Sequence, residues 1–136
     1  MLSVVLKELF VTKYIVIDMS GSTIEDILEE GKKKPEIDNL TLVSRTGMHI
    51  AGDAPKEAHQ ETYVAMSAIL LGSSETATSE LEDNLKYVLV ELTKTRILIQ
   101  ECGDSAILVA KLRPSSDIDK VLEATEKAGK ELEKIL

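Results

Sequence analysis

Tryptophan is missing altogether from this 136-residue chain, and its aromatic complement is one phenylalanine and three tyrosines. A platform on which successive bases could stack is hard to build from so few rings, so the core must come from Leu, Ile, Val, Met and Ala. Cysteine is almost as scarce, with Cys102 alone. No internal disulfide can form, which fits a reducing compartment. One thiol with two scattered histidines has no zinc-ligand spacing either. Positive charge is short: 16 Lys and Arg against 24 Asp and Glu give a net charge of −8. Phosphate backbones and anionic lipid surfaces both need clustered Lys and Arg, so neither nucleic acid nor a membrane is expected as a partner. The short run Lys32-Lys33-Lys34 follows an acidic helix, where cations suit the negative end of the helix dipole. A long apolar run is also lacking. The most apolar stretch, Met1–Ile17, is interrupted by Lys7, Glu8 and Lys13, whereas a spanning helix needs about 20 mostly apolar residues. A signal peptide would need an unbroken apolar centre and a small-residue cleavage site. The expected location is the cytoplasm.

What is present suits one ordinary domain with a proper core. The first residues read differently from the rest: Leu2, Val5, Leu6 and Leu9 have helical spacing, and Tyr14-Ile15-Val16-Ile17 reads as a strand. Met19 is a plausible translation start, so residues 1–18 are read as an N-terminal extension and residues 19–136 as the domain. Helix one spans Thr23 to about Lys33, with Ser22 as cap and Glu25 completing a capping box, and Pro35 stops it. Strand-like Asn39–Ser44 and Met48–Ala51 flank the turn Arg45-Thr46-Gly47 and form a hairpin.

A long helix is expected over Lys56–Leu81, with Asp53 as its cap. One stripe along it is Tyr63, Met66, Leu70, Ala77 and Leu81; a second is Ala58, Thr62, Ala65, Ile69, Gly72 and Thr76. Two partly apolar faces need two partners, and the helix's own sheet supplies only one. Small residues on the second stripe would let another helix approach closely. Strands over Leu85–Leu92, Arg96–Glu101 and Ala106–Leu112 are separated by short turns, which forces an antiparallel meander. An amphipathic helix, Asp117–Leu136, closes the chain. The order α-β-β-α-β-β-β-α predicts an α/β fold: a three-layer α/β/α sandwich on a five-stranded antiparallel sheet.

Catalytic chemistry finds no foothold in the pattern. There is no Gly-Lys-Ser/Thr phosphate loop and no glycine triplet between strand and helix. Cys102 lies between Glu101 and Gly103 with Asp104 beyond, and acidic neighbours raise a thiol pKa rather than lower it. His49 and His59 have no nucleophile or orienting group at a telling distance in sequence. Glu25, Asp26, Glu29 and Glu30 read as the solvated face of helix one. The reading is of a protein that is not an enzyme and holds no cofactor or metal.

The run Val43-Ser44-Arg45-Thr46-Gly47 followed by His49-Ile50-Ala51-Gly52-Asp53 resembles the Roadblock dynein light-chain family, including its gliding-polarity regulators. Members commonly show a strand, Ser-Arg-Asp-Gly or a close variant, an apolar pair, then Ala-Ser or Ala-Gly. Thr46 departs from the usual Asp, and either residue can serve a turn. The long Ala- and Ser-rich helix, the Cys102-Gly103-Asp104-Ser105 turn and the closing helix extend the resemblance over roughly Thr23 to Leu136.

The resemblance implies a profilin-like Roadblock fold and a homodimer, or a dimer with a Roadblock paralogue. In such a dimer the long helices pack together and the third strands join edge to edge. Carried over, Thr62, Ala65, Met66 and Ile69 face the partner helix, and Lys86, Tyr87, Val88 and Leu89 lie on the pairing strand. It further implies a non-catalytic scaffold or regulator that binds the switch region of a small Ras-like GTPase. The alternatives are a small-molecule-sensing module of PAS or profilin-like architecture and an adaptor with no GTPase partner.

Overall fold

The computed structural model describes residues 23–136. The expectations for the N-terminal helix, strand and extension lie outside the described residues. Helix α1 (Ile24–Gly31) is closed by a capping box one residue later than the sequence suggested. Thr23 Oγ1 accepts from the Asp26 amide at 3.1 Å, and the Asp26 carboxylate accepts from the Thr23 amide at 3.3 Å. Thr23 and Asp26 satisfy the same three-residue spacing as Ser22 and Glu25, and the shorter Asp side chain closes the ring. Ile24, Ile27 and Leu28 point inward as their spacing requires.

After Pro35 the chain runs through β1 (Ile37–Ser44) and β2 (His49–Gly52). The turn between them uses Gly47 at φ 89°. Helix α2 (Gln60–Thr78) continues into a short 3-10 turn (Ser79–Leu81). The meander is β3 (Val88–Glu91), β4 (Arg96–Cys102) and β5 (Ala106–Leu112), and α3 (Ile118–Glu133) closes the chain. Asp117 caps α3, accepting from the Asp119 amide at 3.0 Å. The five strands form one antiparallel sheet in the order β2-β1-β5-β4-β3, which is the three-layer α/β arrangement the element order predicted.

The period of two along each strand sends alternate residues to opposite faces. Leu40, Leu42, Leu98, Cys102, Leu108 and Leu112 pack with Ile27, Leu28, Val121 and Leu132 of α1 and α3. Val43, Ile99, Ile107 and Val109 pack with Val64 and Leu71 of α2. Strand β5 lies in the middle and is buried on both faces, which explains why Ala106–Leu112 reads as a continuous apolar run.

Asp53 corrects one expectation. It does not cap the long helix, whose cap position is His59. Its carboxylate accepts from Lys32 Nζ at 3.0 Å and Asn39 Nδ2 at 2.8 Å, and its carbonyl accepts from Thr41 Oγ1 at 2.8 Å. Those bonds tie the end of α1 and strand β1 to the exit of β2. With its oxygens committed there, the chain makes a further turn, in which the Ala58 amide donates to the Pro55 carbonyl at 3.1 Å, before α2 begins.

Burial alone would raise the Asp53 carboxyl. The hydrogen bonds from Lys32 and Asn39 and the charge of Lys32 outweigh it and hold the group below its ordinary 3.8. A carboxyl depressed in the folded state stabilises above its unfolded pKa and loses that contribution as pH falls through the folded value. Stability is therefore expected to decline as pH drops below 3.8, and the decline should be shallower in Asp53→Asn. Thermal unfolding of both proteins at neutral and acid pH tests this; equal slopes would refute it.

Candidate protein-interaction surface

Helix α2 shows almost no apolar asymmetry around its axis, and the structure reveals why. The face against the sheet is Val64, Ser67 and Leu71, with Tyr63 and Ala68 half-buried beside them. Ser67 can sit there because its hydroxyl donates to the Tyr63 carbonyl at 2.7 Å, so no polar group is orphaned. The stripe of Tyr63, Met66, Leu70, Ala77 and Leu81 does not form the core face. Of these only Tyr63 is half-buried, and its hydroxyl is enclosed without a partner among the described residues.

The outer face of α2 exposes large side chains: Met66 at 50%, Ile69 at 54% and Leu70 at 42%. Thr62, Ser73, Thr76 and Ala77 are exposed along the same helix, and Ile69, Gly72, Ser73, Thr76 and Ala77 line a shallow hollow on it. Three large apolar groups together on one exposed helix face are what a helix awaiting a partner displays.

The residues expected to face a partner helix divide accordingly. Thr62, Met66 and Ile69 lie on the outer face. Ala65 is half-buried and turns toward the chain's own hairpin: a Cβ built on Gly47 would lie 3.1 Å from the Ala65 backbone. The hairpin tip thus leans on α2 at that level. Arg45, beside it, donates to Glu75 Oε1 at 2.6 Å, and its amide donates to the Ser105 carbonyl at 3.1 Å. Arg45 and Glu75 thereby clamp the hairpin to the far half of α2. That pairing spans 30 residues, and no local spacing announces it.

The pairing-strand residues divide too. Val88 and Leu89 begin β3, whereas Lys86 and Tyr87 precede it. Among the described residues strand β3 bonds only to β4 and ends the sheet order. Val88 packs toward α2, and Tyr87 and Leu89 toward α1 and α3. Lys86 is exposed, at the rim of a polar cleft with Glu75, Asp83 and Glu101.

Chemistry outside this surface is muted. Among the described residues no three His, Cys, Asp or Glu side chains are grouped to hold a metal ion. His49 Nε2 pairs with the Gly52 carbonyl at 2.8 Å and His59 Nδ1 with Thr62 Oγ1 at 3.2 Å; each ring is engaged locally. The groove between α1 and α3 has a floor of Ile27, Gly31 and Ala128, already packed in the core, and walls of Glu30, Lys33, Lys127 and Glu131. It is an open cleft of mixed charge.

Cys102 lies inside, with its Sγ 3.6 Å from the Gly129 carbonyl. Burial, and then the charge of Glu133, push its thiol up to about 12. Glu133, 31 positions further along the chain and not marked by any local pattern, supplies the charge in place of the flanking acids. The native protein is expected to resist a thiol reagent at about pH 8, below even an ordinary thiol pKa, and to react fully once unfolded in guanidinium; prompt labelling of the folded chain would contradict this burial.

Residues 23–111 match the family model of the Roadblock/LC7 domain. The chain belongs to the Roadblock/LC7 family. No curated protein sequence matches it. Solved structures give the same fold. The gliding protein MglB of Thermus thermophilus is 17% identical, with a TM-score of 0.73 over 91% of this chain and 97% of its own. MglB of Myxococcus xanthus is 18% identical, with a TM-score of 0.74 over 82% and 93%. A Schizosaccharomyces pombe profilin, 15% identical, reaches 0.61 over 81% and 96%, which places the Roadblock sheet within the broader profilin-like architecture. Roadblock domains are generally regulators or adaptors. Among the described residues no helix is long and apolar enough to cross a membrane.

Proposed function

We propose that this Roadblock protein is a non-catalytic, dimeric regulator of a small Ras-like GTPase, acting by binding the GTPase switch region. The observation that supports the reading is the outer face of α2, where Met66, Ile69 and Leu70 stand exposed, together with a β3 edge that ends the sheet. Thr62, Met66 and Ile69 face the partner helix in this dimer, with Ala65 at the contact's margin against its own hairpin. Val88 and Leu89 pair across the β3 edge, and Lys86 and Tyr87 lead into it. Joining two β3 edges removes the unpaired backbone groups that an open edge presents, while joining two α2 faces removes exposed apolar area from water.

The regulator acts by selection. A surface that fits one switch conformation better than the other shifts the GTPase population toward it by the difference in binding free energy. The dimer supplies shape and position and leaves the hydrolytic groups to the GTPase. The test is binding of each small Ras-like GTPase of the same organism, loaded with GDP or with a non-hydrolysable GTP analogue, to the purified dimer. A partner is expected to bind at least about tenfold more tightly in one nucleotide state, a difference of about 1.4 kcal/mol. Equal affinity in both states would remove the selection mechanism, and no binding at all would leave an adaptor without a GTPase.

A further inference from the structure

The sheet has a second end. Among the described residues β2 bonds only to β1 and begins the strand order, so its outer row of backbone groups faces away from the sheet. An open edge is commonly guarded by lysine, proline or an inward-pointing charge. His49-Ile50-Ala51-Gly52 contains no lysine, proline or acid. Helix α1 packs on one face of β2 and α2 reaches the other, so a strand laid beside β2 would have a helix near each of its faces.

The chain enters the described structure at this edge. Helix α1 starts beside the end of β2: the Gly52 amide lies 3.5 Å from Glu25 Oε1, and a Cβ built on Gly52 would lie 3.1 Å from Leu28 Cδ1. Thr23, the residue before α1, has extended backbone at φ −98° and ψ 169° and takes part in an isolated β-bridge. Strand-type pairing therefore reaches the first described residue.

Shortly upstream stands Tyr14-Ile15-Val16-Ile17, three β-branched residues and an aromatic, the types that suit a pleated surface. The run is as long as β2, which has 4 residues. It is apolar at every position, the composition of a strand covered on both faces. Asp18–Ser22 joins it to Thr23. Five linking residues reach up to about 18 Å, well beyond the strand spacing of about 4.8 Å. Ser20, Gly21 and Ser22 are residue types that let the chain turn.

We propose that Tyr14–Ile17 adds to the β2 edge as a sixth strand, so that β2 is a strand-accepting site whose occupant the chain itself supplies. In such additions main-chain hydrogen bonds give the attraction and alternate side chains give the fit. The short tether holds the strand at a high local concentration beside its edge, so pairing too weak for a free peptide persists within the chain. An extended apolar segment of another protein gains this edge only by displacing the strand. The inference stands apart from the dimer reading, which concerns β3 and the outer face of α2.

The experiment is amide hydrogen exchange, followed by NMR, on the full chain and on its Ile15→Pro and Val16→Pro variants. In the wild type, alternate amides of residues 14–17 and the outward amides of β2 are expected to exchange at least about a hundredfold more slowly than in an unstructured peptide, as bonded amides that open only locally do. In an edge strand proline is tolerated only where the lost N–H faced solvent, and adjacent residues direct their amides to opposite sides. One variant is therefore expected to lose the protection of both strands and the other to keep it. Slow exchange in β4 and β5 is expected in both, which shows that the fold survives. A synthetic peptide of residues 12–19, added at about millimolar concentration to match the tether, is expected to slow the β2 amides of the disrupted variant again. Uniformly fast exchange over residues 14–17 would overturn the proposal. Equal loss in both variants would overturn it too, because apolar packing without a backbone ladder has no such alternation. A peptide that leaves β2 unprotected would refute the strand-accepting edge, and a changed solution mass in the disrupted variant would move the segment to α2 or β3.

Discussion

Gly52→Ala is expected to destabilise the protein by about 2–5 kcal/mol, the sum of left-handed strain and overpacking, and to lower its melting temperature by about 6 °C or more. Gly52 ends β2 at φ 81°, a conformation costly for any residue with a Cβ. Added to that, an alanine Cβ would lie 2.3 Å from the Leu40 carbonyl oxygen, 3.1 Å from Leu28 Cδ1 and 3.2 Å from Thr41 Cα. Two of those three neighbours are backbone of β1, so relief requires moving the strand rather than a side-chain tip. Gly52 also holds the point at which Asp53 is handed to Lys32 and Asn39, and a shifted backbone would slacken that junction. Chemical denaturation of wild type and variant gives the number directly. A loss below about 1 kcal/mol, well short of what the named core mechanisms cost, would mean that β1 and β2 separate far more easily than their packing indicates.

If the proposed dimer forms through α2, Ile69→Arg is expected to convert it to a monomer, with self-association weakened at least about a hundredfold, as for truncation of a central interface anchor. The side chain is 54% exposed in the protomer, so a longer polar group leaves the core untouched and the melting curve of the isolated fold nearly unchanged. In the proposed dimer the two introduced guanidinium groups would be set against a partner face whose exposed large side chains are the apolar Met66, Ile69 and Leu70. Ala65→Arg is a less informative variant, because Ala65 lies against Gly47 of its own hairpin and the larger side chain would displace that hairpin as well. Light scattering at micromolar concentration separates the outcomes. A dimer that survives Ile69→Arg would show that the outer face of α2 is not the contact, and would leave the β3 edge as the remaining candidate.

Much of the fold is written in local pattern. Ile24, Ile27 and Leu28 have the spacing of a buried helix face and are buried; the run Ala106–Leu112 reads as a strand and is one. The misplacements share a cause. Ser22 and Thr23 are both good helix caps, and Asp53 is another, so the choice between equivalent side chains falls to partners distant in sequence. Asp53 goes to Lys32 and Asn39 because the sheet order places β1 and the end of α1 beside it. The inward face of α2 is illegible for a related reason: with apolar residues on every side and Ser67 able to satisfy its own hydroxyl, periodicity has no contrast to report.

Local chemistry was enough to set the element order, the antiparallel meander, the apolar faces of α1 and α3 and the absence of any nucleotide-binding or nucleophile motif. Each follows from covalent neighbours through hydrogen-bonding period and turn chemistry. Packing of the three layers was needed to decide which strands are edges, which side of α2 meets the sheet, that Arg45 clamps Glu75, and that Gly72 opens onto empty space. Each of those depends on what the rest of the chain brings up against a residue, or leaves away from it. That is fixed by how the layers close over one another, and no short window of sequence contains both sides of the relation.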